Sequence, residues 1–285
     1  MLLYMRNARS ISLGAGQERM GAMERRSGFT LIELLVVIAV ITLLVSILMP
    51  SLSKAKQQTK ATVCLSNLHQ LGMVCSMYTD DNTGRMPHLR DWDWVTPMYR
   101  YYRKIELLRC PSASKPYYMP GSNEELVGGK FRAWAKWRDY NEDGEPEIVI
   151  GSYGINMFIG EYPKDERPDE LLWKTTLFKG AAYVPVLTDS AEDEDTPRTV
   201  DEPPEYDGQI YIPPPGNIHE MRDRCIDRHL RNINVLFADW HISKVTLKRL
   251  WRLRWHREWD KMISESGMPT AWDDPGHWMF TYPDD

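Results

Sequence analysis

Four groups of side chains in this sequence have the types and spacing to support chemistry. The stretch "DYNEDGEPEIVI" (139–150) sets Asp139, Asn141 and Asp143 at alternate positions before Gly144, with Glu147 the next carboxylate. Alternating hard oxygens followed by a glycine turn form the first half of a calcium loop. Ile150 stands where the closing bidentate glutamate is expected, so a solvated hairpin loop is the competing reading. His229, Asp239 and His241 are metal-ligand types that a hairpin could gather. A plainer role has His229 hydrogen-bonding the Asp239 region and fixing that hairpin, with His241 an ordinary strand residue. Cys64, Cys75, Cys110 and Cys225 include no C-x-x-C pair, which weakens zinc and redox readings and leaves isolated thiols or one or two disulfides. Glu33 is the one ionisable residue between Phe29 and Met49. No G-x-S-x-G, H-E-x-x-H or phosphate loop occurs, so no catalytic residue is assigned and the chain reads as non-enzymatic.

The elements that would carry these groups follow from hydropathy and turn residues. Residues 29–49 are long enough as a helix to span roughly 30 Å, the hydrocarbon thickness of a bilayer. No small-residue cleavage site follows them, as a secretory signal would require. Beyond Pro50, Leu52, Ala55, Val63, Leu68, Leu71 and Val74 recur at roughly helical spacing. The spacing predicts one nearly continuous helix from about Thr30 to about Asp80, bent at most near Pro50. Strand candidates are 147–156, 183–190 and a hairpin over 232–245 that turns at Asp239–Trp240. Acidic, Pro-rich 192–216 reads as an exposed loop. In 245–267, Leu247, Trp251, Trp255, Trp259 and Ile263 make an i, i+4 stripe that predicts a helix packed on the rest of the chain. Cys64 and Cys75, on one helix, lie about 16 Å apart along its axis and cannot bridge. A net charge of −5 argues against a nucleic-acid partner.

"RRSGFTLIE", two arginines and a glycine before an apolar helix with one early glutamate, resembles the leader of type IV pilins and type II secretion pseudopilins. The resemblance implies that a prepilin peptidase cuts between Gly28 and Phe29 and methylates the new amino terminus of Phe29. It also implies that Glu33 pairs with the free amine of a neighbouring subunit. A carboxylate at membrane depth is costly and usually marks function, and a staggered amine from the next subunit would compensate it and set the register of assembly. Arg25 and Arg26 would keep the leader cytoplasmic, leaving the head outside the cytoplasmic membrane. Met20 and Met23 lie close to the motif, and a start at Met23 would give the compact leader "MERRSG".

Further blocks, "NLHQLGMVCSMYTDDNTGRMP", "RCPS", "SYGIN", "TDS" and "RHLRNINVLFADWH", are similar in order to a planctomycete-type pilin-like subgroup. Its C-terminal signature is His, nine residues, Asp-Gly. His229 and Asp239 match it, while Trp240 replaces a glycine that would suit a turn with positive φ. Together the blocks imply an α+β, type IV pilin-like fold: a long N-terminal transmembrane helix continuing into a soluble helix packed on a small antiparallel β-sheet head. The divisions are leader 1–28, transmembrane segment 29–50, head 51–246 and C-terminal helix and tail 247–285. On an extracytoplasmic side disulfides become feasible, with Cys64–Cys110 and Cys75–Cys225, or the swapped pairs, as candidates. The helix and the "RCPS" loop are expected to meet.

The implied function is a structural subunit of a type IV pilus-like filament or a type II secretion pseudopilus. Its partners would be prepilin peptidase, identical or related pilin subunits and the inner membrane. No cofactor is implied beyond a candidate calcium ion at Asp139, Asn141, Asp143 and Glu147. The rival class is a monomeric, membrane-anchored surface protein binding carbohydrate or another ligand. A third is a metal-dependent enzyme on the same anchor.

Overall fold

The computed structural model describes residues 29–87, 94–116, 128–139, 146–160, 168–208 and 219–284. Helix α1, Leu31–Asp81, runs through Pro50 without a break, as the hydropathy pattern predicts. Hydroxyls in its apolar part bond back along the helix, Thr42 Oγ1 to the Ala39 carbonyl and Ser46 Oγ to that of Leu43, so neither needs a partner from outside. Residues 31–50 are exposed throughout, whereas from Ala61 onward Ala61, Cys64, Leu68, Leu71, Gly72, Val74, Cys75 and Thr79 are buried at helical intervals.

After α1 come α2 (Val95–Tyr102) and the hairpin of β1 (Trp134–Asp139) and β2 (Pro146–Gly151). Then follow β3 (Tyr153–Asn156), β4 (Pro185–Asp189), β5 (Glu194–Asp195), the one-turn helix α3 (Met221–Arg224), β6 (Asn232–Phe237), β7 (Ile242–Thr246) and α4 (Trp259–Ser266). The main sheet has the order β5-β3-β4-β6-β7 and is antiparallel except for the short β5 beside β3. This is an α+β pilin-like fold, a long apolar N-terminal helix followed by a β-sheet region.

Alternation along the strands divides the sheet between two partners. Tyr153, Asp189, Asn234 and Leu236 face α1. Tyr153 Oη and Asp189 reach Cys64, Asn234 Nδ2 reaches the Ala61 carbonyl, and Leu236 lies against Gly72. Asn156 and Thr188 point to the opposite face, where Asn156 Nδ2 bonds the Trp255 carbonyl and Arg224 bonds Thr188. Both faces are covered, which is why β3 and β4 are buried at every position.

Two expectations need correction. The 192–216 region is not simply an exposed loop: Asp193, Asp195, Thr196, Thr199 and Asp201 are buried, and β5 pairs with β3. Its carboxylates are held by cations and backbone donors. Asp195 lies 3.1 Å from Arg224, and Asp201 accepts from the Arg198 and Met221 amides. Residues 209–216 fall outside the described part. Nor is 245–267 one helix. β7 continues to Thr246, a 3₁₀ turn covers Lys248–Arg252, and α4 starts only at Trp259. Each tryptophan indole needs a backbone acceptor, and the broken path supplies them: Trp251 bonds the Asp201 carbonyl, Trp255 that of Leu250 and Trp259 that of Trp251. The stripe packs on the head as expected, with Leu247, Trp251, Trp255 and Trp259 fully buried.

Gly151 faces Trp134 across the β1–β2 pair, and a Cβ there would lie 2.1 Å from the ring. Gly151→Ala should therefore displace a fully buried indole and lower stability by about 1–3 kcal/mol, read from urea unfolding.

His256 packs edge-on between Phe158 and Trp259, with ring centroids 5.0 and 5.1 Å away. Burial depresses its pKa from 6.5 to about 4. As pH falls through this window the unfolded chain takes up the proton first, so the neutral ring's contribution is complete above 6.5 and lost toward 4. The stability difference between wild type and His256→Phe should shift toward the variant by on the order of 2–3 kcal/mol from pH 7 to pH 4. Denaturant midpoints across that range check it.

Candidate functional site

Two places hold the residues of interest, and the first is the start of α1. Thr30 caps it: the Thr30 amide and hydroxyl both donate to Glu33 Oε2 at 2.8 Å, and the Glu33 amide donates to Thr30 Oγ1 at 3.2 Å. This reciprocal capping box satisfies helix-end donors that lipid could not. The sequence signal, T-x-x-E before an apolar run, is present in "TLIE" and adds a second role to Glu33. Phe29 precedes the cap and is exposed, while Gly28 lies outside the described residues.

The second place is inside the head. Cys64 comes from α1, Cys110 from the turn after the 3₁₀ segment Ile105–Leu108, Asp189 from the end of β4, and His229 from the residue before the tight turn into β6. All four are buried, and their sulfur, oxygen and nitrogen ligand atoms lie within 4.8 Å of one another. His229 Nε2 is 3.3 Å from both Cys110 Sγ and Asp189 Oδ2, and Cys64 Sγ is 3.5 and 3.6 Å from the two Asp189 oxygens. The turn that aims His229 is closed by the His229 amide on the Asn232 carbonyl. Its inner residues, Leu230 (φ 56°) and Arg231 (φ 70°), are both left-handed, a conformation that non-glycine residues adopt only at a cost.

Arg228 surrounds Asp189 with positive charge. Its guanidinium lies 3.2 Å from Asp189 Oδ1 and also donates to the carbonyls of Gly129, Lys130, Ser152 and Ser190. The Asn234 amide donates to Asp189 Oδ2 at 2.8 Å. Burial alone would raise the Asp189 pKa, but His229, Arg228 and the Asn234 amide together hold it at about 2. Burial likewise opposes charge on His229, and the Asp189 carboxylate outweighs it, lifting that pKa to about 9.

The expected contact between His229 and the Asp239 region does not form. Asp239 pairs with His241 at the surface of the β6–β7 turn, while His229 turns inward to Asp189, a carboxylate on the inner face of the sheet. Neither Asp189 nor Arg228 belongs to a catalytic or metal-ligand motif legible in the sequence. Their signal is a charged residue closing the buried run "VPVLTD" and an arginine beside a histidine just before a buried strand. At Trp240 the φ of 68° is the one a glycine would supply, so tryptophan accepts the left-handed turn that the signature's glycine implies. All four cysteines are free thiols. Cys64 does meet the "RCPS" loop at Cys110, whereas Cys75 and Cys225 lie instead against Met98 and Met279. For the calcium reading, Asp139 and Pro146 are paired ends of β1 and β2. The connection with Asn141 and Asp143, and the side chains of Asp139 and Glu147, lie outside the described residues.

Residues 23–49 match the family described as the prokaryotic N-terminal methylation motif. The chain is similar to the type IV wide pilus major component PilA4 of Thermus thermophilus, 42% identical over 60 residues that make up 21% of this chain and 46% of the relative. It thus spans about half the length of that curated relative. No solved structure matches the chain. Motif, helix and relative together make the N-terminal part of the chain similar to that of type IV pilins.

Arg228 tests the interior. Arg228→Lys keeps the charge but loses the planar fork that serves five acceptors, so carbonyls are left unpaired. Unfolding in urea should show a loss of about 2–4 kcal/mol.

Proposed function

We propose that this chain is a structural subunit that is cut between Gly28 and Phe29 by a prepilin peptidase, N-methylated at Phe29 and assembled with like subunits into a pilus-like filament. The observation that carries this reading is the coincidence of the methylation motif with an apolar helix that no described part of the chain covers. From Leu31 to Met49 the large apolar side chains are at least 40% exposed, too much apolar surface to leave in water. A bilayer covers it before assembly and neighbouring copies of the same helix cover it afterward. The head then stands on the extracytoplasmic side, with Arg25 and Arg26 of the leader held in the cytoplasm.

Glu33 supplies the register. Cleavage creates a charged amine at Phe29, one turn of chain before Glu33. In a staggered filament that amine meets a neighbour's carboxylate in an apolar setting, where either charge alone is heavily penalised. The capping bonds both use Oε2, so Glu33 can close its own helix and still offer a second carboxylate oxygen. A filament rather than a secretion pseudopilus is favoured by the relative, whose name describes a wide pilus component.

Mass spectrometry of the mature protein should find Phe29 at the amino terminus with one added methyl group, and an intact leader in cells with active peptidase contradicts the reading. Glu33→Ala should still enter the membrane and be cut. It should give at least about 10-fold fewer filaments by electron microscopy, since each contact would hold an uncompensated charge. Glu33→Gln keeps the cap's shape but not the charge. Normal filaments from both variants would remove Glu33 from the assembly step.

A further inference from the structure

We propose that Cys64, Cys110, Asp189 and His229 form a closed, four-ligand structural site for a tetrahedral divalent cation of the zinc class. Zinc bonds of 2.0–2.3 Å put the corners of a tetrahedron about 3.3–3.8 Å apart. With Asp189 Oδ2 as the carboxylate corner, the separations of 3.3 Å from His229 Nε2 to Cys110 Sγ and to Oδ2, and of 3.6 Å from Cys64 Sγ to Oδ2, are three edges of that size, and the other ligand pairs lie within 4.8 Å. Two sulfurs, one imidazole nitrogen and one carboxylate make a donor set that suits zinc and not calcium or magnesium, which prefer oxygen alone.

The surroundings fit a bound cation. Donors are aimed at both sulfurs, Tyr153 Oη at Cys64 Sγ (3.3 Å) and the Ser112 amide at Cys110 Sγ (3.4 Å), as a thiolate ligand would require. Asp189 is oriented by Arg228 and the Asn234 amide. A divalent cation with two thiolates, one carboxylate and a neutral imidazole carries one net negative charge, and the guanidinium of Arg228 cancels it inside a buried site. Every ligand comes from a different segment, and all four are buried, so no position is left open for substrate. The bound cation would pin α1, the "RCPS" turn, β4 and the entry to β6 to one point. Cys75 and Cys225 provide the contrast, equally buried but set against methionine sulfurs.

The test uses the full chain in detergent, reduced and then titrated with Zn²⁺ or Co²⁺. About one metal per chain should bind and survive dialysis, as structural zinc does. Cobalt should give an intense thiolate-to-metal charge-transfer band. Cys64 and Cys110 should resist alkylation until the protein is denatured with chelator. Cys110→Ser and His229→Ala should each lower metal affinity at least about 10-fold, while Cys75→Ser and Cys225→Ser should leave it unchanged. Where a ligand variant does not fold, the wild-type cobalt spectrum decides. Protein that binds neither metal, shows no thiolate band, or is isolated metal-free with a Cys64–Cys110 disulfide overturns the proposal.

Discussion

Asp189 is a carboxylate sealed between a helix and a sheet, and the head is arranged around keeping its charge compensated. Arg228 and His229 approach it from the segment before β6, Asn234 from β6 itself and Cys64 from α1. A buried ion pair of this kind adds little net stability compared with an apolar substitute, but removing one member is severe. Its effect is therefore one of uniqueness. A register that shifted α1 or the sheet would not bring all three segments to the same carboxylate.

Much of the fold was legible because its signals are local. The apolar run, the polar helix beyond Pro50 and the alternation in β6 each depend on neighbouring residues alone. The 232–245 hairpin was readable even with Trp240 in the turn, since Ile233, Val235 and Phe237 set the period. What could not be read was which polar residues face inward. Asp193, Asp195 and Asp201 look like a solvated acidic loop until Arg224 and backbone amides from distant parts of the chain are in place. The C-terminal tryptophans misled in the opposite direction. Their i, i+4 spacing fits a helix, but each indole N–H needs an acceptor, and the chain breaks its helix to provide one.

The same division explains the candidate sites. Glu33 stood out from sequence because an isolated charge in an apolar run is conspicuous. Cys64, Cys110, Asp189 and His229 are spread over more than 160 residues, and no spacing rule joins them. His229 was drawn toward Asp239 by proximity in the chain, but it ends up against Asp189 because the Leu230–Arg231 turn sends its ring inward.

Helix α1 serves two environments with one hydrogen-bonded backbone. Its first buried residue is Ala61, and no described side chain between Leu31 and Pro50 contributes to the core. The core that holds the sheet is therefore built without those twenty residues. On the proposed reading, a change in what surrounds those twenty residues would leave the packing that begins at Ala61 as it is.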